Sequence, residues 1–333
     1  MRRSRLAVAA AMLTILALLP LAAVPVAAGD AGTRAGAEHQ RIVKYWTAAR
    51  ITNAKPRDFV RTVAGTFQPR AKPIKPPPGG GGTVKGASWT QGGPIVQRSG
   101  KVVFTMGGSD YVCSASAVAD SRAGYSLVLT AAHCAYDEVA EVFATNWTYI
   151  PSFDTAPTYT CAQSTYGCWT TAAGGLVVHS GYATAGGFNE QATVHDFAIA
   201  IVGPGGKSGT DQLDGLGSYR ISYPAISTGG SVHAFGYPAA GKYQGNDLTY
   251  CAGPTFNDAN NGNLTWGIAC DMTGGSSGGP WLATFTQAGA GTLTSLNSYG
   301  YRGLSNMYGP KFNANTQGVY NAANTRISDY IVP

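Results

Sequence analysis

The chain has 333 residues, of which 44% are hydrophobic and 12% charged, so it is long enough for two globular domains. Its net charge of +6 is unevenly distributed: residues 29–90 hold eleven Lys/Arg against three Asp/Glu, and residues 91–333 hold nine against fourteen. A basic nucleic-acid-binding protein is therefore excluded if the basic part is removed during maturation, as the N-terminal sequence predicts.

The N-terminus has the pattern of a secretory signal peptide over residues 1–28. Three arginines precede an apolar run from Leu6 to Leu21, and Val26-Ala27-Ala28 offers small residues at a cleavage site. A membrane anchor is the alternative, because the apolar run is long for a signal peptide. Pro20, Pro25 and the small residues favour cleavage, and no second run of spanning length follows.

A basic segment and a linker follow the signal peptide. The segment has a weak helical pattern around Ile42, Val43, Trp46 and Ile51, and the linker Pro73–Gly82 is polyproline followed by glycine. We expect a propeptide over residues 29–90 and a main domain over 91–333, with the boundary between Gly79 and Val96. A surface-binding N-terminal module is the alternative.

Short β-rich runs dominate the chain beyond Lys101 and alternate with clusters of Gly, Asn, Pro and Asp. This pattern predicts an all-β fold of packed sheets or barrels, with a helix only at Tyr320–Val332. The ten predicted strands are 102–106, 111–118, 126–130, 147–150, 176–179, 197–202, 231–237, 264–270, 281–286 and 293–301.

The run Cys270–Pro280 places Ser277 among glycines, where the backbone turns tightly and directs amides inward. Ser277 is the predicted nucleophile, and the N–H groups of Gly275 and Ser277 are the predicted oxyanion-hole donors. A flexible Gly/Ser loop is one alternative. The nucleophile elbow of α/β-hydrolases is the other, but it requires a histidine after the serine, and no histidine follows Ser277.

Two further residues complete a catalytic triad. His133 follows the apolar run 127–132 and precedes Cys134, which can hold it in position as a general base. Asp196 stands at the start of an apolar strand, where burial requires a partner such as an imidazole N–H. Its neighbour His195 is the competing base, but adjacent strand residues point to opposite faces. A structural histidine is the alternative for His133.

These residues resemble the chymotrypsin-like (trypsin-like) serine endopeptidases, whose triad order is His, Asp, Ser. The resemblance rests on the blocks 130–134, 196–199 and 275–280 and covers about Gly93 to Val332. It implies two packed six-stranded antiparallel β-barrels with the site between them. The Ser277 environment is most similar to the secreted bacterial branch that includes glutamyl endopeptidases. Ser276 departs from the animal members, which have an aspartate there to pair with a new N-terminus; Ile95-Val96 resembles such an N-terminus.

The resemblance also indicates substrate-binding residues. Asp271 stands where trypsin-like members bind a substrate Lys or Arg at P1, the residue before the scissile bond. Asn297, Ser298, Tyr299 and Gly300 are expected to form the other wall of that pocket. Asn297 replaces a histidine of the glutamyl branch, which disfavours an acidic P1 residue. We expect a basic P1 residue or, if Asp271 turns outward, an apolar or uncharged one.

Six cysteines in an exported chain imply up to three disulfides, and none has metal-ligand spacing, so we expect no metal and no cofactor. Cys113 and Cys134 lie on neighbouring predicted strands, and the resemblance supports their pairing. Cys161 with Cys168 and Cys251 with Cys270 are the expected further pairs, because each closes a short segment. Fifteen connectivities are possible, so these two stay open.

The sequence therefore predicts a secreted serine endopeptidase, made as a preproenzyme, that forms an acyl-enzyme. A catalytically silent binding protein on the same fold and an esterase with the same triad are the alternatives. Its expected partners are a peptide or protein substrate and its own propeptide. We expect a monomer that binds neither nucleic acid nor, after signal cleavage, a membrane.

Overall fold

A computed structural model describes residues 28–62, 65–69, 83–153, 160–171, 174–223 and 226–333. The predicted signal peptide, apart from its last residue, and the predicted linker lie outside these residues. No helix within the described ranges is long and apolar enough to cross a membrane.

The described residues form six helices, three short 3₁₀ helices and many short strands. The helices are α1 (Ala28–Tyr45), α2 (Ala48–Asn53), α3 (Pro94–Arg98), α4 (Ser180–Ala183), α5 (Glu190–Val194) and α6 (Ala314–Ala323), and the 3₁₀ helices are Ala132–Cys134, Leu213–Leu216 and Ala259–Asn261. The strands are β1 (Lys55–Pro56), β2 (Phe59–Arg61), β3 (Phe67–Pro69), β4 (Val84–Ser88), β5 (Ser99–Met106), β6 (Ser109–Val118), β7 (Ser126–Thr130), β8 (Tyr136–Asp137), β9 (Val142–Phe143), β10 (Thr145–Pro151), β11 (Trp169–Thr170), β12 (Leu176–His179), β13 (Ala198–Val202), β14 (Arg220–Ile221), β15 (Ser231–Gly236), β16 (Thr249–Pro254), β17 (Phe256–Asn257), β18 (Thr265–Ala269), β19 (Pro280–Ala283), β20 (Thr292–Leu296), β21 (Tyr299–Tyr301), β22 (Asn306–Pro310) and β23 (Tyr330–Val332).

The strands form two β units, as the family resemblance implies. In the first unit, β10, β5, β6, β7, β13 and β12 are neighbours in that order and pair antiparallel. The second unit contains two sheets, with the orders β14-β20-β19-β15-β16-β4 and β17-β18-β22-β21-β2-β3. Strands buried on both faces, such as β7 and β13, read as continuous apolar runs, which is why the sequence revealed them.

Parallel pairing distinguishes four added strands from these antiparallel units. Among the described strand pairs, β1 with β6, β2 with β21, β14 with β20 and β23 with β12 are parallel. Two of the four, β1 and β2, belong to the predicted propeptide. The chain before the predicted linker, described over residues 28–62 and 65–69 and called here the N-terminal segment, therefore adds strands to both units.

Helices α1 and α2 attach the N-terminal segment to the first unit. Ile42, Trp46 and Ile51 are each only 1% exposed and belong to the same buried cluster as strands β5 to β7. The indole Nε1 of Trp46 donates to the Asn146 carbonyl at 2.7 Å. The weak helical pattern in the sequence thus marked the buried face of this segment.

Arginines of the N-terminal segment pair with acids of the later chain, which agrees with the opposite charges of the two parts. Among the described residues, the ion pairs are Arg50 with Asp110 at 2.7 Å, Arg57 with Glu138 at 3.3 Å and with Asp137 at 3.9 Å, and Arg61 with Glu190.

Strand β4 lies on the second unit, although residues 84–88 precede the expected domain start at 91. It pairs antiparallel with β16 over four residue pairs. Trp89, which is 4% exposed, contacts the rings of Phe235, Tyr250 and Phe285 edge-on and donates its backbone N–H to the Leu248 carbonyl.

All ten predicted strands are present: 126–130 and 176–179 have the predicted bounds, and the other eight have changed bounds. The predicted strand 293–301 is split into β20 and β21, because Asn297 and Ser298 make side-chain bonds at the site. The sequence missed β16 and β22, which contain Gly-Pro pairs. The predicted C-terminal helix at Tyr320–Val332 was placed too late: α6 begins at Ala314, because Asn313 and Thr316 form a capping box, and residues 330–332 form β23.

The structure contains the three expected disulfides, Cys113–Cys134, Cys161–Cys168 and Cys251–Cys270. The first joins β6 to the 3₁₀ helix that carries His133, and the third joins β16 to the residue before Asp271. Both therefore fix chain segments at the predicted site.

Candidate active site

His133 and Asp196 form a fully buried pair at one end of the paired strands β7 and β13. His133 lies in the 3₁₀ helix after β7, and Asp196 lies two residues before β13, which pairs with β7. The His133 Nδ1 is 2.8 Å from Asp196 Oδ2, and the His133 backbone N–H donates to Asp196 Oδ1 at 2.9 Å. These two contacts hold the imidazole with its Nε2 free to accept a proton.

Ser298 supplies a third donor to Asp196. Its hydroxyl donates a short hydrogen bond to Asp196 Oδ2, and both side chains are fully buried. These three hydrogen bonds satisfy the oxygens of the buried carboxylate. Ser298 was predicted to bind substrate; its hydroxyl is bonded to Asp196 in this structure, which leaves its backbone for that role.

Ser277 lies in a tight turn between two glycines with positive φ, Gly275 at 95° and Gly278 at 82°. The Ser277 carbonyl accepts the Ser114 N–H at 2.7 Å, and the Gly278 N–H donates to the Asn297 carbonyl at 2.7 Å. These bonds tie the turn to the first unit and to the loop before β21. The turn therefore holds the nucleophile between the two units.

The N–H groups of the expected oxyanion hole belong to two peptide units whose carbonyl groups are hydrogen-bonded. The Gly274 carbonyl accepts the Ala239 N–H at 2.7 Å, and the Ser276 carbonyl accepts the Asn297 Nδ2 at 3.0 Å. A trans peptide holds its C=O and N–H on opposite sides. The N–H groups of Gly275 and Ser277 thus point away from these anchors, and within the described residues neither donates to the protein.

Aromatic rings cover the imidazole. Phe59 and Phe188 contact the His133 ring edge-on, with centroid distances of 5.5 and 5.7 Å, and stack on each other at 4.1 Å. Among the described residues His133 Nε2 is buried without a hydrogen-bond partner, so it makes no bond to Ser277 here. Phe59 comes from the N-terminal segment, so that segment closes the site.

The N-terminal segment crosses the cleft as an extended strand from one unit to the other. Lys55 and Pro56 pair with Tyr111 and Val112 of β6, and residues 59–61 pair with residues 299–301 of β21. Between these contacts, Asp58 and Pro56 lie so close to Gly274 that a side chain there would meet both at 2.8 Å. The strand thus occupies the space in front of the catalytic residues.

Asp271 already has partners. Its carboxylate accepts the Lys242 Nζ at 2.8 Å and a short hydrogen bond from the Tyr243 hydroxyl, and its side chain is 8% exposed. Burial and the Asp271 carboxylate raise the pKa of Tyr243 well above its usual value, so Tyr243 stays a donor. The expectation of a basic P1 residue assumed an unpaired Asp271, and the structure provides a cation within the chain.

The side chains of Asn297 and Tyr299 are occupied in internal hydrogen bonds. Asn297 donates to the Phe235 and Ser276 carbonyls and accepts from Trp281, and it is fully buried. The Tyr299 hydroxyl donates to buried Asp258 at 2.6 Å. The backbones of Tyr299 and Gly300, in contrast, face the N-terminal strand through the β2–β21 pairing.

The other groups near the pair are separate from it. His195 stacks on His179 at 4.7 Å and contacts the Gln191 carbonyl, so it does not compete as the base. Cys113, His133 and Cys134 bring their donor atoms within 4.8 Å of one another, but the two sulfurs form a disulfide, and metal binding requires thiolates.

Comparison with solved structures identifies the family. The chain is similar to protease Anisep from Arthrobacter nicotinovorans, with 35% identity and a TM-score of 0.60; the match covers 72% of this chain and 100% of that chain. The chain belongs to the chymotrypsin-like serine proteases of bacteria. The chain is also similar to the thermostable serine protease AL20 from an extremophilic microorganism, with 36% identity and a TM-score of 0.58; the match covers 70% of this chain and 99% of that chain.

A Glu endopeptidase, solved in complex with MPD, shares the fold of this protease at 19% identity, with a TM-score of 0.53 and coverage of 73% of this chain and 98% of that chain. No family model matches the sequence, and a search of curated proteins finds no match.

Two site contacts of this protease were not found from the sequence. Glu138 had no predicted role; it lies close to His133 along the chain and is bound by Arg57 in the structure. It also missed the bond from Ser298 to Asp196. The only available signals were the charge of Glu138 and the hydroxyl of Ser298 beside the split strand.

Proposed function

We propose that this protein is a secreted serine endopeptidase, made as a precursor whose N-terminal segment covers the active site. The observation that carries the proposal is the buried His133–Asp196 pair together with Ser277 in its glycine turn, whose carbonyl lies 3.9 Å from the Sγ of Cys134, the neighbour of His133. Three disulfides and the signal-like N-terminus support export to an oxidising environment.

The proposed reaction begins when the Ser277 Oγ attacks the carbonyl carbon of a peptide bond and its proton passes to His133 Nε2. The oxygen that gains negative charge is stabilised by the N–H groups of Gly275 and Ser277. Asp196 stabilises the imidazolium. Collapse expels the amine, which takes the proton from His133, and leaves an acyl-enzyme that water hydrolyses with His133 again as base.

The proposed precursor state explains the arrangement of the N-terminal segment. A strand that pairs with both sides of the cleft excludes a substrate strand, and the Phe59 ring blocks the path to His133. The opposite net charges of the two parts and the ion pairs between them favour this docking. Removal of the segment is then the activating step.

A fluorophosphonate probe tests the proposed function, because it labels only an activated serine. We expect the full chain to be labelled slowly, and the chain cut within residues 70–82 and freed of the N-terminal segment to be labelled rapidly at Ser277. Casein and a nitrophenyl ester are then compared as substrates. An esterase cleaves the nitrophenyl ester but not casein. A catalytically silent protein reacts with neither substrate and is not labelled by the probe. Either result contradicts the proposal.

The P1 preference is tested with a peptide library in which only that residue varies. A preference for Lys and Arg that is lost in Asp271→Ser supports a basic P1 residue. The Lys242 ion pair favours the other expectation, an uncharged residue, because it neutralises Asp271. Lys242→Ala is the matched control: if Lys242 masks Asp271, this variant gains preference for Lys and Arg.

A further inference from the structure

A buried carboxylate near the catalytic histidine is bound by an arginine of the N-terminal segment. Glu138 follows β8, and its side chain is only 3% exposed. Its Oε2 accepts the Tyr182 hydroxyl at 2.7 Å and lies 3.3 Å from the Arg57 Nη2. None of the catalytic steps uses Glu138.

The surroundings of Arg57 suit a guanidinium. Its Nη1 donates a short hydrogen bond to the His133 carbonyl and lies 3.5 Å from the Tyr136 carbonyl, while Nη2 faces Glu138. Two carbonyls and one carboxylate match the planar fork of an arginine, which presents several donors in fixed directions. A lysine ammonium is a single point charge and cannot reach all three in the same way.

The groups that bind this guanidinium belong to the protease domain and remain when the N-terminal segment leaves. Without Arg57, the Glu138 carboxylate keeps only the Tyr182 hydroxyl as a donor among its described contacts. Removal of the guanidinium leaves this carboxylate and the two carbonyls directed at one vacated position. The processed enzyme therefore presents a preformed acceptor for a positively charged side chain.

We propose that Glu138, with the carbonyls of His133 and Tyr136, is a substrate subsite for an arginine side chain, and that Arg57 occupies this Glu138 subsite in the precursor. The proposal rests on the proposed function, because it assigns the substrate class of the same cleft.

The position of the subsite along a substrate follows from the path of the N-terminal strand. Arg57 donates its backbone N–H to the Val112 carbonyl of β6, whereas Phe59 and Val60 pair with β21. The strand runs from β6 to β21. A substrate that pairs antiparallel with β21 runs the other way, so its residues at β6 lie C-terminal to the scissile bond. The subsite then accepts an arginine of the leaving peptide.

A position-scanning experiment tests this assignment. The full chain is cut within residues 70–82, the N-terminal segment is removed, and active sites are counted with the fluorophosphonate probe. Peptides with a fixed P1 residue then carry arginine, lysine or uncharged citrulline at each other position. We expect arginine to raise kcat/KM roughly 10- to 100-fold over citrulline at one position, because a buried charged hydrogen bond is replaced. Lysine should give a smaller gain.

Glu138→Gln should abolish the arginine preference while the fluorophosphonate titre stays unchanged, because glutamine still accepts the Tyr182 hydroxyl. Asp137→Asn is the matched control: Asp137 lies 3.9 Å from Arg57 and is more exposed, so its loss should change the preference less than about threefold. If titrated enzyme shows no arginine preference outside P1, or if Glu138→Gln retains it, the subsite is refuted and the protease assignment stands. If no active site can be titrated, the proposed function itself fails.

Discussion

The catalytic pair and the cleft in front of it are held by different parts of the chain. The hydrogen bonds that join the side chains of His133, Asp196 and Ser298 lie within the protease domain, and the Gly275–Ser277 turn is anchored there as well. The cleft, in contrast, is filled by residues 55–61 of the N-terminal segment. In the precursor that we propose, the occupied cleft is therefore the cause of inactivity, while the His133–Asp196 pair is already formed.

The largest expected effect tests the catalytic half of this comparison. Ser277→Ala and His133→Ala should each lower peptide turnover by several orders of magnitude, roughly 10⁴- to 10⁶-fold, because nucleophile and base act as a unit. Turnover is measured after removal of the N-terminal segment, and thermal unfolding serves as the control for folding. A Ser277→Ala enzyme with a tenth of the wild-type activity would contradict the nucleophile assignment.

A buried lysine, away from the cleft, makes the stability of the protease domain depend on pH. Lys101 of β5 donates to the Gly245 carbonyl of the second unit, and burial lowers its pKa to about 8. The unfolded chain binds more protons than the folded one between pH 8 and 10.5, so stability should rise with pH there, by up to about 3 kcal/mol.

Lys101→Met should remove this rise in the free energy of unfolding. Denaturant unfolding at pH 7.5, 9 and 10.5 measures it in both proteins. Equal slopes with pH in the two proteins would show that Lys101 keeps an ordinary pKa.

Occupancy of the cleft is tested with the N-terminal strand as a separate peptide. A peptide of residues 54–62 should inhibit the processed enzyme and remain intact, and Arg57→Ala in the peptide should weaken inhibition roughly 10- to 100-fold. Lys55→Ala is the matched control, because the Lys55 side chain is exposed and should matter less than about fivefold. Equal losses for both peptides would place the anchor elsewhere.

The smallest effect concerns the new N-terminus. The Ser276 hydroxyl donates to the Thr273 carbonyl at 2.8 Å and offers no carboxylate for an α-amino group. Lengthening or shortening the mature N-terminus by one residue should therefore change kcat/KM by less than about threefold. A large loss in this series would mean that activation requires a defined N-terminus as well as an empty cleft.

The sequence revealed those parts of the site whose chemistry requires particular residues near one another in the chain. Ser277 was found from its glycines, and His133 and Asp196 from the apolar strands beside them. Glu138 was missed because its partner Arg57 lies 81 residues earlier, and only folding brings the two together. Ser298 was assigned to the substrate pocket because a family position does not reveal which atom its hydroxyl binds.

Long-range packing also decided how far the fold was predictable. The apolar runs of β7 and β13 were clear in the sequence. The two-residue strand β1 is too short to be predicted from a local pattern, and no local pattern predicts that β2 pairs parallel with β21. The helix α6 depends on a cap formed by Asn313, at a position where the apolar pattern is weak.

The linker of residues 70–82 also gives the inhibition a dependence on dilution. While the chain is intact, the covalent connection through residues 70–82 holds the N-terminal strand at a high effective concentration near the cleft, on the order of millimolar. One cut makes the strand an ordinary bimolecular ligand, whose occupancy falls as the protein spreads into a large volume. The specific activity of freshly cut enzyme should therefore rise on dilution. Such a protease would remain inhibited at high protein concentration and become active once it is diluted.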